Sequence, residues 1–166
     1  GRRFAVDTGF LVFNHRTYPA LRQMFETLQV PTVASEMTFS VSVGPHDFEW
    51  AGTDLPSLFA QPSNLVSPSF WRMLADIARF NRQATALAGD DAFVAGAMRQ
   101  PLGQFLAEHR YGRAFRDAYL LPMAAAIWSC PMKVMLDFPV GSFVRFFHNH
   151  GLLSARNRPQ WYTVAG

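Results

Sequence analysis

The hydrophobic periodicity changes along the chain, and this change limits the possible folds more than any other feature of the sequence. Between residues 37 and 43, apolar side chains alternate with Thr and Ser, which is typical of a half-buried strand. A turn at 44–47 leads to a predicted hairpin partner at 48–50. From residue 68 onward, apolar residues recur every three or four positions, which predicts helices. Strands first and helices afterwards indicate an α+β fold.

Capping residues and breakers set the ends of the predicted elements. A first helix begins near Pro19 and is stopped by Pro31, and a long helix begins at Ser67 and Pro68 and ends at Gly89. The other predicted elements are a buried strand at 4–13 interrupted at Gly9, helices at about 101–109, 111–121 and 141–150, and a late strand at 160–164. Together they predict a small antiparallel or mixed sheet beside a mostly helical region, in a single domain over 1–166.

The composition excludes several classes of protein. Apolar residues make up 49% of the 166 residues and charged residues 16%, which excludes a disordered chain and suits a piece of a larger molecule or a domain with a broad apolar binding face. No apolar run approaches the roughly 20 residues that span a bilayer. The net charge of +3 is too small and too scattered to indicate nucleic-acid binding. The single cysteine, Cys130, cannot form an internal disulfide, which favours a reducing compartment.

The common signatures of catalytic and cofactor sites are absent from the sequence. No two of the 11 glycines are two residues apart, so the Gly-x-Gly-x-x-Gly fingerprint is missing, and the phosphate loop is missing as well. The chain therefore contains no complete dinucleotide-binding unit. It also lacks Cys-x-x-Cys, His-Glu-x-x-His and Gly-x-Ser-x-Gly. We predict no metal site and identify no catalytic residue.

The segment Asp7-Thr8-Gly9 is the most informative short stretch of the sequence. An Asp inside an apolar strand requires hydrogen-bond partners. A Gly within a strand often marks the close approach of a ligand or of another backbone. The alternative is that Asp7 binds nearby backbone amides beside a β-bulge.

A second informative stretch lies in the last predicted helix. Phe143, Phe146, Phe147 and His150 fall on one helical face. They form a core stripe, the wall of an apolar substrate tunnel that ends at the histidine, or both if the helix lies between core and cavity. His148 and His150 diverge around a helix, so positions at a helix end are favoured over a pair of metal ligands.

A series of sequence blocks runs in order over nearly the whole chain. The blocks are Val6–Asn14 with Thr17–Pro19, Ser35–Ser40, Leu58–Gln61, Asn64–Leu65, Phe70–Leu74, Ala126–Ser129, Phe146–Leu153, Arg158–Trp161 and Thr163–Gly166. They resemble the flavin-containing amine oxidase-like superfamily and, more closely, its bacterial subgroup of predicted NAD/FAD-binding proteins. One position departs from the pattern: Gln29 stands where the first helix of the family usually ends in a glycine.

The resemblance implies that the chain is the central substrate-domain fragment of a longer polypeptide. In that family the glycine fingerprint that binds FAD precedes this segment, and the chain returns to the FAD domain after it. The matching positions expected close to FAD are Asp7, Thr8, Gly9, Phe10, Trp161 and Gly166. Aromatic character, rather than the resemblance, is the basis for expecting substrate contacts at Phe39, Phe146, Phe147 and His150.

The expected function is that of the substrate-binding domain of an FAD-dependent oxidoreductase, in which a hydride passes from a substrate C–H bond to the flavin. The expected substrate is an amine or a fatty acyl compound, and the isolated fragment is expected to be inactive. Surfaces that face the missing FAD-binding domain would be covered by it or, in the fragment, by a second copy in a homodimer. The alternative is a non-catalytic module that binds apolar molecules or lipids. We expect no nucleic-acid partner and a cytoplasmic location, either free or peripheral to a membrane.

Overall fold

The computed structural model describes residues 12–44, 48–154 and 159–165. Over these ranges the chain adopts an α+β fold in which helices predominate and the sheets are small and antiparallel, which confirms the predicted fold class. The chain divides into two compact units, one made of Gly1–Met37 with Arg156–Gly166 and the other of Thr38–Ala155. Because one domain can contain more than one compact unit, the single domain over 1–166 stays a prediction.

The helices and strands follow one another in an irregular order. In chain order they are β1 (Phe13–Asn14), α1 (Pro19–Thr27), β2 (Thr32–Ser35), β3 (Ser40–Val43), β4 (Phe48–Ala51), α2 (Leu55–Leu58), α3 (Pro68–Ala88), α4 (Asp91–Gly96), α5 (Leu102–Glu108), α6 (Arg113–Phe115), α7 (Leu121–Trp128), α8 (Met132–Met135), α9 (Val140–Asn149) and β5 (Trp161–Val164). A 3₁₀ turn at Pro62–Val66 precedes α3, and a π-helical segment at Arg116–Leu120 joins α6 to α7.

The first unit contains a three-stranded sheet in which β5 lies between β1 and β2 and runs antiparallel to both. The strand β5 confirms the late strand predicted at 160–164. The strand β2 was not predicted, because Thr-Val-Ala-Ser has no apolar alternation. In the structure its valine, Val33, is 48% exposed. Long-range pairing with β5, rather than local pattern, makes this segment a strand.

Helix α1 confirms the first predicted helix and packs one aromatic side chain against the sheet. Phe25 is buried, and its ring meets the ring of Phe13 edge-on at a centroid distance of 5.2 Å. After the helix ends, Gln29 has a φ of 54°. Only glycine adopts this left-handed conformation without steric cost. The departure from the family pattern at Gln29 therefore falls at a position whose backbone favours glycine.

The second unit begins with the β3–β4 hairpin, in which Ser40 pairs with Ala51 and Val43 with Phe48. The predicted strand began at residue 37, whereas β3 begins at Ser40 because its partner strand ends at Ala51. The side chains of Val41 and Trp50 are buried and anchor the hairpin to the helices.

Helix α3 confirms the long predicted helix and its cap. The Ser67 hydroxyl accepts a hydrogen bond from the backbone N–H of Phe70 at 3.3 Å, which satisfies a donor that the first helical turn leaves free. The fully buried side chains of the helix are Phe70, Met73, Phe80 and Ala84. They pack with α6 and α9 in the main core. Within the described ranges, no helix combines the length and the apolar content needed to cross a bilayer.

Candidate functional site

The sheet of the first unit brings two segments from opposite ends of the chain side by side. In the β1–β5 pair, Asn14 lies opposite Trp161, and Phe13 lies opposite Tyr162. Both strands belong to sequence blocks for which the resemblance implies a position near the flavin. Trp161 is half-buried in this sheet. The other predicted flavin-side residues lie outside the described residues and stay predictions; they are Asp7, Thr8, Gly9, Phe10 and Gly166.

Asn14 is a polar residue of this sheet with a buried side-chain amide. It is completely buried. Its Oδ1 atom accepts hydrogen bonds from the backbone N–H of Arg16 at 3.0 Å, the backbone N–H of Thr17 at 2.9 Å and the Thr17 hydroxyl at 2.8 Å. For its Nδ2 donor, the part of the chain that the structure describes offers no hydrogen-bond partner. A buried donor without an acceptor costs about 1–3 kcal/mol, so the burial of this amide lowers the stability of the fold unless an acceptor is supplied.

A cleft of about 370 Å³ opens beside the same sheet. The buried rings of Phe13 and Phe25 form its apolar part. Its polar part contains Arg22 and Glu26, which form an ion pair with a nitrogen–oxygen distance of 2.7 Å. His15 also lines the cleft, and its ring stacks on Tyr162 at 4.3 Å, nearly parallel. The cleft thus combines buried aromatic rings with an exposed ion pair.

The predicted substrate-binding residues of α9 lie in an aromatic cluster of the second unit. Phe147 is buried, and its ring lies 4.2 Å from that of Phe143. Phe146 is half-buried; its ring lies 4.5 Å from Trp128 and 3.9 Å from His150. Phe143 and Phe147 are thus core residues, as a core stripe on this face predicts. Substrate contact at Phe146, Phe147 and His150 stays a prediction.

Phe39 belongs to the hairpin rather than to the α9 cluster. Its half-buried ring packs edge-on against Trp50 at 6.1 Å, and its carbonyl oxygen accepts a hydrogen bond from the backbone N–H of Gly52. Phe39 therefore lies next to the β3–β4 hairpin, whereas the other residues with predicted substrate contacts lie on α9 or at its end. These residues are Phe146, Phe147 and His150.

The two histidines weighed as metal ligands lie at the end of α9, and the single cysteine packs against a methionine. His148 lies in the last turn of α9, and His150 is its C-cap residue, with its Nδ1 atom 2.9 Å from the Phe146 carbonyl oxygen. The Cys130 sulfur lies 3.3 Å from the Met135 sulfur. Among the residues that the structure describes, no three His, Cys, Asp or Glu side chains are grouped closely enough to hold a metal ion.

A polar cluster between α3 and the α5–α6 loop has a structural explanation. Arg79 pairs with Asp76 at 2.8 Å and donates to the His109 carbonyl at 2.9 Å, and its guanidinium lies 4.0 Å from the centroid of the Tyr111 ring. Asp76 also accepts from the backbone N–H of Gly112. Asp76 and Arg79 thus fix the α5–α6 loop to α3.

The same cluster predicts an alkaline pH dependence of stability. Burial raises the pKa of the Tyr111 phenol above its ordinary value of 10.0, with a smaller opposing effect from Arg79. Because the folded state favours the neutral phenol, its stabilising contribution is complete below the unfolded pKa and is lost as the pH rises through the folded pKa. We expect Tyr111→Phe to reduce the loss of unfolding free energy that sets in as the pH rises above about 10. Urea denaturation of both proteins across this range tests it, and parallel pH profiles would contradict it.

Comparison with protein-family models and with curated protein sequences finds no match to this chain. The candidate functional site is the β1–β5 pair with Asn14, Trp161 and the adjoining cleft.

Proposed function

We propose that this chain is the substrate-binding part of an FAD-dependent oxidoreductase of the amine oxidase-like type. The observation that carries the proposal is the antiparallel pairing of β1 with β5. Most of the chain, from Asn14 to Trp161, lies between these two strands. A region inserted into another domain must leave it and return to it at neighbouring points, and two paired strands satisfy this requirement. The pairing therefore supports the implied arrangement, in which both strands adjoin the FAD-binding domain of the same polypeptide.

The buried amide of Asn14 also supports this proposal. Its Nδ2 donor has no acceptor within the described residues, and the carbonyl oxygens and ring nitrogens of a flavin are hydrogen-bond acceptors. The Asn14 Oδ1 atom is already occupied by the turn that follows β1, so the amide is fixed in orientation. Asn14 and Trp161 are the described residues that would hold FAD, which would supply the hydride acceptor.

The remaining chemistry needs little from the protein beyond binding and exclusion of water. A neutral amine can lose a hydride from the carbon next to its nitrogen without a strong base, because the nitrogen lone pair forms the C=N bond, whereas a fatty acyl compound would also have to lose a proton from the adjacent carbon to a base. The proposed substrate is an amine or a fatty acyl compound. The proposed contacts are Phe39, Phe146, Phe147 and His150, and the proposed location is the cytoplasm or a membrane surface that faces it.

The absorption spectrum of the protein expressed from its intact reading frame tests the proposal. We expect an oxidised-flavin spectrum that bleaches anaerobically on addition of an amine or an acyl lipid. A colourless protein that does not take up added FAD would overturn the proposal. In that case the apolar part of the cleft, formed by Phe13 and Phe25, would favour the alternative of a non-catalytic apolar or lipid-binding module.

Asn14→Asp gives a sharper test, because aspartate can maintain the turn through the same oxygen while it removes the amide donor. We expect the dissociation constant for FAD to rise by about tenfold or more, since a buried acceptor would then face a carboxylate instead of a donor. Quenching of flavin fluorescence on binding measures this constant.

Asn64→Asp is the matched control for this substitution. Asn64 is also buried, but its Nδ2 atom donates to the Glu49 carbonyl at 2.8 Å. We expect this variant to lower stability and leave the affinity for FAD unchanged. Equal losses of FAD affinity in the two variants would mean that Asn14 acts only through the fold.

A further inference from the structure

The strand β2 lies at an edge of the three-stranded sheet in the first unit. It pairs with β5 on one side, and none of the described residues forms a strand on its other side. Val33 is 48% exposed, and Ala34 is exposed as well. An open edge of this kind carries backbone N–H and C=O groups that can bond to another strand.

The register of the β2–β5 pair identifies the backbone groups that point away from β5. The backbone N–H of Ala165 donates to the Pro31 carbonyl oxygen at 2.8 Å, so these two residues face each other as a hydrogen-bonded pair. Such pairs recur at every second residue of an antiparallel ladder. The odd-numbered residues of β2 therefore bond to β5, whereas the N–H and C=O groups of Thr32 and Ala34 point outward.

The open edge of β2 differs from the outer edge of β4 in the second unit. There the side chains of Gln61 and Asn64 bond to the backbone N–H and C=O of Glu49, both at 2.8 Å, and occupy groups that another strand would use. Within the described ranges, β2 has no such cover. Its sequence, Thr-Val-Ala-Ser, contains no charge and no proline, which are the usual means of preventing an edge strand from pairing.

The outward groups of β2 are complementary to those of a second β2. When two copies run antiparallel with Val33 facing Val33, Thr32 of each copy faces Ala34 of the other. Both members of this pair have outward N–H and C=O groups, so four backbone hydrogen bonds form and no outward group is left over. Pro31 then faces Ser35 as a non-hydrogen-bonded pair, in which the missing N–H of proline costs nothing.

The side chains are compatible with this register. The two Val33 residues form a non-hydrogen-bonded pair, in which the Cα atoms are about 4.5 Å apart and the side chains are in contact. Thr32 lies beside the small side chain of Ala34. The nearest charged residue in the sequence, Glu36, lies opposite the apolar Val30 of the other copy, so the two Glu36 carboxylates do not meet.

We propose that β2 pairs with β2 of a second copy of this chain across a two-fold axis at Val33. The pairing joins two three-stranded sheets into a sheet of six strands, and it is closed because each copy uses its edge once. Four backbone hydrogen bonds and one valine contact make a small interface, so we expect a dissociation constant on the order of 10 µM. The β2 edge lies across β5 from β1, and the pairing does not require a flavin.

Sedimentation velocity tests the proposal on the protein expressed from its intact reading frame, at concentrations up to about 300 µM. We expect an equilibrium between monomer and dimer. Val33→Lys should raise the dissociation constant by about tenfold or more, because two cations would face each other at the axis. Ala34→Pro should have a similar effect, because it removes an outward N–H and no bond to β5.

Val43→Lys is the matched control, since Val43 is 44% exposed on β3. Its dissociation constant should stay within about twofold of the unmodified protein. Urea midpoints of all variants establish that they fold. Mild oxidation tests the register, since Val33→Cys should give a disulfide-linked dimer and Val43→Cys should not.

Two results would overturn the proposal. One is a monomer at every concentration, which would leave the edge to a different polypeptide. The other is a dimer that Val33→Lys and Ala34→Pro leave intact, because its interface would then lie elsewhere.

Discussion

Replacing Gly141 by alanine is expected to lower the free energy of unfolding by about 3 kcal/mol. Gly141 lies in the first turn of α9 and is buried where this helix crosses the end of α4. A Cβ atom at this position would stand 2.6 Å from the Val94 carbonyl oxygen and 3.2 Å from the Ala97 carbonyl carbon. Both neighbours are backbone atoms, so a side-chain rotation cannot relieve the overlap.

The close approach of the two helices is also supported by hydrogen bonding. The backbone N–H of Gly141 donates to the Ala97 carbonyl oxygen at 3.2 Å, and the N–H of Val140 donates to the Gln100 carbonyl oxygen at 2.9 Å. Pushing α9 outward to admit a methyl group would stretch these bonds and open a gap next to the buried Phe143. The expected cost therefore includes lost contacts as well as steric strain.

Gly96→Ala is the control for this prediction. Gly96 is the last residue of α4, and no atom lies within 4 Å of a Cβ built on it. Alanine there is expected to be neutral or to stabilise by up to about 1 kcal/mol, since it restricts the unfolded chain and favours the helix. Urea denaturation measures both variants. Equal midpoints for Gly141→Ala and Gly96→Ala would refute the close packing of α4 and α9.

The elements that the sequence predicted are those with strong local signals. Helix α3 has a capping serine, a proline in its first turn and apolar residues at helical spacing, and the structure places its ends where these signals are. The π-helical segment between α6 and α7 has no such signal. Local periodicity predicted one helix over 111–121, whereas the structure continues the helical path to Trp128.

The contacts that build the candidate site depend on the pairing of strands far apart in the sequence. Local sequence patterns do not reveal which strands pair. The resemblance implied that the segments around Asp7 and Trp161 adjoin the same cofactor. That β1 and β5 are paired strands, with Asn14 opposite Trp161, follows only from the register of the sheet. Asn14 itself was within a matching block but was not singled out, since an asparagine after a strand is usually an ordinary turn residue. Complete burial in the structure distinguishes Asn14 from an ordinary turn residue.

The second large effect on stability is expected from removing the hydrogen bond between Trp50 and the π-helical segment. Pro122 has no N–H, so the Ala118 carbonyl oxygen, four residues before it, lacks the hydrogen bond that an α-helix would give it. The N–H of Leu121 bonds to the Arg116 carbonyl oxygen, five residues back. The indole N–H of the buried Trp50 donates to the Ala118 carbonyl oxygen at 3.0 Å and replaces the missing bond.

Trp50→Phe is therefore expected to lower the free energy of unfolding by about 2 kcal/mol, because it leaves this carbonyl without a donor and removes part of a buried ring. Trp71→Phe is the control, since Trp71 also donates to a carbonyl oxygen but is half exposed, and its loss should cost less than about 0.5 kcal/mol. Both are measured by urea denaturation.

A double-mutant cycle with Pro122→Ala separates the hydrogen bond from the packing of the ring. Alanine at position 122 supplies the N–H that an α-helix would direct at the Ala118 carbonyl oxygen, so this oxygen no longer depends on the Trp50 indole. In the Pro122→Ala background, Trp50→Phe should then cost about 1 kcal/mol less than in the unmodified protein. The difference reports the hydrogen bond, and the remainder reports the lost ring contacts. If Trp50→Phe costs the same in both backgrounds, the indole stabilises the hairpin by packing alone.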